Sequence, residues 1–123
     1  EILVPHYGDI HSDHRITCEV AKIIGRPRKK PISILTMEIP NTAFWNGQDF
    51  KGNFFVDITS TIDKKIMAFK CYTNEIKKFP DPWSEEGLLT LAKFRGMQSG
   101  VPFAESFRII RAYPNSLPGS IIN

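Results

Sequence analysis

Short apolar runs separated by turn residues predict the strands of this chain. Residues 1–5 (EILVP), 32–39 (ISILTMEI) and 54–58 (FFVDI) have the apolar and β-branched composition of buried strands. Residues 103–112 (FAESFRIIRA) fit either a last strand or a short helix, and the pattern leaves these two alternatives open. Three or four strands are therefore predicted.

Three further stretches have the spacing of amphipathic helices. The first is predicted from Asp13 to Gly25, the second through Ile76, and the third from Ser84 to about Gly100. The second helix is expected to begin after a Ser-Thr pair at positions 60–61. The apolar positions behind the first two predictions are Ile16, Val20, Ile23 and Ile24, and then Ile62, Ile66, Phe69, Thr73 and Ile76.

Strands that alternate with helices predict an α/β fold, Rossmann-like, with a mostly parallel sheet flanked by helices. The length of 123 residues suits a single domain, residues 1–123. In open sheets of this kind, ligands bind beyond the carboxyl ends of the strands. Residues 11–15 (HSDHR) follow the first predicted strand and are expected at such a place.

Composition limits the classes of partner that we expect for the chain. Sixteen basic residues against 13 acidic ones give a net charge of +3. Part of this excess lies in residues 25–30 (GRPRKK), which no aromatic residue interrupts, so we interpret the run as a solvated loop and expect no nucleic-acid partner. No apolar run is long enough to span a membrane. Cys18 and Cys71 have no CxxC spacing and are expected to be buried, reduced helix residues of a cytoplasmic protein.

The HSDH segment contains residues that bind metals in other proteins. His14, expected in the first turn of a helix, is a candidate zinc ligand. His11 can act as a ligand or hydrogen-bond a reacting oxygen, and Asp13 can orient an imidazole. In the alternative interpretation, both histidines are polar surface residues and Asp13 is the helix N-cap. Spacing alone does not separate the two interpretations.

Two neighbours of this segment carry charge. Asp9 has the position of a turn acid, with the alternative that its carboxylate reaches the site. Arg15 is a candidate for binding an anionic substrate, although an arginine on a helix surface is the more frequent case.

Three longer segments occur in the order found in one known family. The first segment has an HxDH motif followed by Arg and reads ILVPHYGDIHSDHR. The second is similar to a strand and helix with KK and KCY and reads VDITSTIDKKIMAFKCYTNE. The third is similar to RGxQxGxxYAEAF and reads LAKFRGMQSGVPFAESFRIIR. Over residues 1–112 the chain resembles the C-terminal half of the LmbE-like, or PIG-L-like, family of zinc-dependent de-N-acetylases.

The resemblance implies roles for three residues. His14 would be a zinc ligand, and His11 would stabilise the oxyanion that forms when a metal-bound water attacks an acetamide carbonyl. Asp13 would hydrogen-bond and tune His11. Phe103 stands where the family often has tyrosine, so a hydroxyl there is missing.

The family also has an N-terminal half with the motif AHPDDE, which carries the other two zinc ligands and the general base. This motif does not occur in the 123 residues. We therefore expect the missing half or another protomer, in a homo-oligomer, as a partner, and no activity of the isolated chain. The implied substrate is an N-acetylated sugar or sugar conjugate. The alternative function is that of a non-catalytic remnant, or a binding or assembly subunit with the same half-fold.

Overall fold

The chain forms a mixed four-stranded sheet and three helices. The structure is a computed structural model and describes residues 1–27, 31–40, 45, 47 and 50–113. The α/β class predicted from the sequence is confirmed. The elements in chain order are β1 (Ile2–Pro5), α1 (Ser12–Ile24), β2 (Ile34–Met37), β3 (Phe54–Asp57), α2 (Ile62–Lys70), α3 (Glu85–Ser99) and β4 (Ala104–Arg111).

The strand order in the sheet is β1-β2-β4-β3. β1 and β2 are parallel, with Ile2 opposite Ile34, whereas β2 and β4 are antiparallel, with Met37 opposite Phe107. Residues 103–112 thus contain a strand, which settles the alternative that the sequence left open. The sheet is therefore mixed, with one parallel pair, β1 and β2. The mostly parallel sheet that we expected is not shown by this arrangement.

The chain divides into two compact units. One comprises Glu1–Phe54 and Ser106–Asn123, and the other comprises Phe55–Glu105. Residues 28–30 of the basic run lie outside the described residues, so the prediction of a solvated loop there stays a prediction. Among the helices that are described, none has the length and apolar character needed to cross a membrane.

In the first unit, α1 packs on the sheet through small side chains. Cys18 and Ala21 of α1 form one buried cluster with Val4 of β1 and Ile34 of β2. Burial of each large aliphatic side chain contributes roughly 1.5–3 kcal/mol. Only six residues connect β1 to α1. Since both elements are anchored in this cluster, the start of α1 lies close to the end of β1.

The apolar stripe that predicted α1 lies on its exposed side. The helix itself is confirmed, and Gly25 follows its last residue as the C-cap. The four side chains of the stripe are between 46% and 64% exposed, namely Ile16, Val20, Ile23 and Ile24. Their spacing therefore predicted the helix correctly without identifying the side that packs on the sheet.

The second unit holds α2 and α3 against two apolar clusters. One cluster contains Ile58, Ile62 and Ala92, and the other contains Ile66, Phe69 and Leu88. As predicted, α3 begins after Ser84, whose hydroxyl accepts a hydrogen bond from the Gly87 N–H at 2.9 Å. It ends at Gly100, whose φ of 79° is a conformation that favours glycine.

Two predictions about the end of α2 are wrong. The helix ends at Lys70, so Thr73 and Ile76 lie beyond it, and Cys71 is an exposed C-cap residue rather than a buried helix residue. The backbone turns at this point, with the Glu75 N–H donating to the Tyr72 carbonyl at 2.8 Å. Threonine and asparagine, which occupy positions 73 and 74, favour such turns over helix.

Gly52 packs directly against β4. A Cβ atom at this position would overlap the Ser106 hydroxyl oxygen, which is itself buried and has no hydrogen-bond partner within the described part of the chain. Only a residue without a side chain fits beside Ser106.

We expect Gly52→Ala to lower the free energy of unfolding by about 1–3 kcal/mol, because Ser106 and its strand must shift to admit the methyl group. Urea denaturation measures this loss. In a Ser106→Gly background the same substitution should cost markedly less, since the two closest atoms to the new Cβ are gone and only Phe50 Cε1 remains near it, at 3.2 Å. Equal costs in the two backgrounds would contradict the contact.

We expect Ser84→Ala to cost about 1 kcal/mol of stability, because the first turn of α3 loses its capping oxygen. Ser60→Ala is the matched control, since Ser60 is exposed and Thr61 rather than Ser60 is the N-cap of α2. Thermal unfolding of both variants tests the prediction, and an equal decrease in Tm would refute it.

Candidate functional site

A buried carboxylate organises the loop between β1 and α1. Asp9 Oδ1 accepts a hydrogen bond from the His11 backbone N–H at 2.8 Å, and Asp9 Oδ2 lies 2.9 Å from His14 Nδ1. The Asp9 side chain has no exposed surface. Because an ionised carboxylate only accepts hydrogen bonds, the hydrogen in this contact belongs to His14 Nδ1. Nε2 is then the atom of the His14 ring that remains for a ligand.

This arrangement matches the environment of a metal-binding imidazole. Histidine ligands commonly donate one ring N–H to a carboxylate, which fixes the tautomer and makes the other nitrogen a better donor. The His14 side chain is 27% exposed, so it is accessible from solvent. The Asp9 carboxylate thus bonds the loop backbone, as a turn acid does, and also contacts the ring of His14.

Arg15 holds the loop backbone in place. Its Nη1 donates to the carbonyl oxygens of Asp9 at 2.8 Å and Ile10 at 2.7 Å. These two bonds satisfy carbonyls of the loop, which lie outside the helix and the sheet. Arg15 therefore supports the segment that carries the Asp9 carboxylate, and its side chain is otherwise exposed.

His11 and Asp13 both lie on the exposed start of α1. The His11 and His14 rings are neighbours, with centroids 5.2 Å apart. His11 itself is the N-cap residue, so the alternative that Asp13 caps the helix is wrong. No hydrogen bond joins the Asp13 carboxylate to His11 within the described part of the chain.

The described residues provide one imidazole for a metal rather than a full ligand set. Over residues 1–27, 31–40, 45, 47 and 50–113, no group of three His, Cys, Asp or Glu side chains is arranged to hold a metal ion. A structural zinc site needs four ligands and a catalytic one usually needs three from the protein. His14 therefore fits one position of such a site, and its other ligands would come from outside these residues.

His6 is a second polar residue at the carboxyl end of β1. Its side chain is buried, and Nδ1 lies 3.0 Å from the Thr36 hydroxyl oxygen, which in turn donates to the Arg108 carbonyl. The Thr36 hydroxyl hydrogen is thus engaged, so His6 Nδ1 donates and Nε2 keeps its lone pair. Burial and then the positive charge of Arg108 lower the pKa of His6 below its ordinary value of 6.5.

His6 was not among the site residues predicted from the sequence. It had a recognisable pattern, because His6 continues the period-two alternation of Ile2 and Val4 and so lies on the face of the sheet that α1 covers. A buried polar group on that face needs a hydrogen-bond partner, which Thr36 supplies.

The lowered pKa of His6 predicts a loss of stability in weak acid. The folded chain keeps His6 neutral while the unfolded chain binds a proton near pH 6.5, so stability is complete above that pH. It should fall as the pH decreases through the lower pKa of the folded state. Urea denaturation between pH 7.5 and about 5 should show a steeper decline for the wild type than for His6→Gln. Parallel pH profiles would contradict this role of His6.

Comparison of the chain with protein-family models gave no match, and comparison with curated proteins gave none either.

Proposed function

We propose that this chain forms one part of the zinc site of a de-N-acetylase that hydrolyses an N-acetylated sugar or sugar conjugate. The observation that carries the proposal is the contact between the buried Asp9 carboxylate and His14 Nδ1 at 2.9 Å. It leaves His14 Nε2 as a fixed lone pair at the surface, which is what a metal ligand requires. We infer the reaction type from the similarity of three ordered sequence segments to the LmbE-like family.

His14 would hold the metal through Nε2, with Asp9 as the carboxylate that orients the ring. Zinc in such a site supplies a water acidified toward neutral pH and polarises the acyl carbonyl. The remaining ligands and the general base are expected from the missing N-terminal half or from another protomer of a homo-oligomer. In this proposal the complete domain has the Rossmann-like, mostly parallel sheet, and the isolated chain is inactive.

His11 would act on the oxygen of the acetamide. Its ring is exposed and lies beside His14, so it can hydrogen-bond an oxyanion that forms next to the metal. One such donor lowers the barrier by about 3 kcal/mol. Asp13 would hydrogen-bond His11 in the substrate complex. This contact requires rotation of two exposed side chains.

Arg15 would bind a negatively charged part of the substrate. Its Nη1 is engaged with the loop carbonyls, so the other donors of the guanidinium group would make this contact. We place the enzyme in the cytoplasm, which agrees with the absence of a disulfide between the two free cysteines, buried Cys18 and exposed Cys71.

The second candidate function is that of a non-catalytic assembly subunit. The exposed apolar side of α1 favours it, because four large aliphatic side chains in one stripe are typical of a surface that contacts another chain. An assembly subunit does not need a metal, so zinc binding separates the two candidates.

We expect His14→Ala to abolish specific zinc binding by the assembly of this chain with the half or protomer that supplies the other ligands. Metal analysis of the purified assembly and competition with a chromophoric chelator measure this loss. Asp9→Asn should weaken zinc binding by about 10–100-fold, because the ring loses the carboxylate that orients it. His11→Ala is the matched control: it removes the neighbouring exposed imidazole and should leave zinc affinity unchanged.

Stoichiometric zinc that survives His14→Ala would refute the proposed ligand. A wild-type assembly that contains the partner half or protomer and still binds no zinc at micromolar concentrations would favour the assembly subunit over the enzyme.

A further inference from the structure

We propose that Arg108 and Tyr7 form a binding site for an oxyanion, a carboxylate or a phosphate, on the first unit. The site is made of residues that the proposed zinc chemistry does not use. Its occupation requires no metal, so the proposal goes beyond the function proposed above and can be tested without it.

The guanidinium group of Arg108 has no partner of opposite charge among the described residues. Arg108 lies on β4 opposite Thr36, and its guanidinium carbon is 5.9 Å from the centroid of the Tyr7 ring. Its side chain makes no hydrogen bond or ion pair with a described residue. The side chain is only partly exposed, so its donors are incompletely hydrated as well as unpaired. A guanidinium group carries five N–H donors, and here they remain for a ligand.

The other charged groups near Tyr7 already have hydrogen-bond partners. The Lys22 ammonium lies 5.2 Å from the same ring, but it is paired with the Glu19 carboxylate at 2.6 Å. The Asp9 carboxylate is engaged with His14 and with the loop backbone. Arg108 is thus a positive charge without a partner of opposite charge among the residues that the structure describes, and an oxyanion would neutralise it.

The ring of Tyr7 prepares Arg108 for a ligand with two oxygens. A cation–π contact between a guanidinium group and an aromatic ring is favourable and restrains the long side chain. The parallel N–H donors of a restrained guanidinium match two oxygens of a carboxylate or a phosphate. Less conformational entropy is then lost when the ligand binds.

His6 lies beside the Tyr7 ring without adding charge. Its ring centroid is 4.1 Å from that of Tyr7, and its Nδ1–H is used by Thr36. A protonated imidazole here would be repelled by Arg108, and burial also favours the neutral form. His6 therefore adds no positive charge that would compete with Arg108 for the anion.

The test uses the metal-free full chain, titrated with sodium phosphate and separately with sodium acetate at constant ionic strength set by chloride. Two-dimensional NMR follows the Arg108 Nε–Hε signal and the Tyr7 ring signals. We expect saturable shifts of both with at least one of the two anions. Saturation by acetate alone identifies a carboxylate site, and saturation by phosphate alone identifies a phosphate site.

Arg108→Gln should weaken binding by about tenfold or more, because a charge-assisted hydrogen-bond donor is lost. Arg26→Gln is the matched control: it removes the same charge from an exposed arginine of the same unit that has no ring contact. This control should bind like the wild type. Arg108→Lys retains the charge and the aliphatic stem but loses the paired donors, so it should give an intermediate affinity and serves if Arg108→Gln does not fold.

The proposal is overturned if neither anion shifts the Arg108 signal at concentrations up to tens of millimolar. It is equally overturned if Arg108→Gln, or Arg108→Lys where the former does not fold, binds with the affinity of the wild type.

Discussion

The position of the candidate site depends on one buried charge. A carboxylate without exposed surface is stable only when donors surround it, since desolvation of an unpaired ion costs several kcal/mol. Asp9 meets this requirement with the backbone N–H of His11 and the ring of His14, on either side of the helix start. The orientation of the His14 ring is therefore a consequence of folding, and a ligand that binds Nε2 finds the imidazole already in place.

The elements were predictable where a local pattern determines them. Strands β1, β2 and β3 and the start and end of α3 follow from apolar runs, a capping serine and a terminal glycine, all of which act within a few residues. The packed side of α1 was not predictable from its larger apolar residues, because Cys18 and Ala21 let the helix approach the sheet more closely than isoleucine would. The end of α2 was missed because the turn at residues 72–75 interrupts an apolar spacing that continues through it.

The site was predictable only in part, for a related reason. His11, Asp13 and His14 were identified because they lie within four residues of one another in a short motif. The contact between Asp9 and His14 crosses a turn, and no helical or strand period relates positions five apart in that way. Arg108 and Tyr7 are separated by about a hundred residues, so only the pairing of β4 with β2 brings them together.

The Asp9 carboxylate and the Arg108 guanidinium group thus differ in the hydrogen-bond partners that the described residues give them. The Asp9 carboxylate is hydrogen-bonded by its own loop and by His14 in the first turn of α1, and a ligand of His14 would extend that network without adding a new demand on Asp9. The guanidinium group of Arg108 has an aromatic neighbour but no acceptor among the described residues, and a cation–π contact returns only part of what a charged hydrogen bond provides. A protein that needed Arg108 only for packing would lose nothing with an apolar side chain there. The cationic group is explained if its acceptor arrives with a ligand.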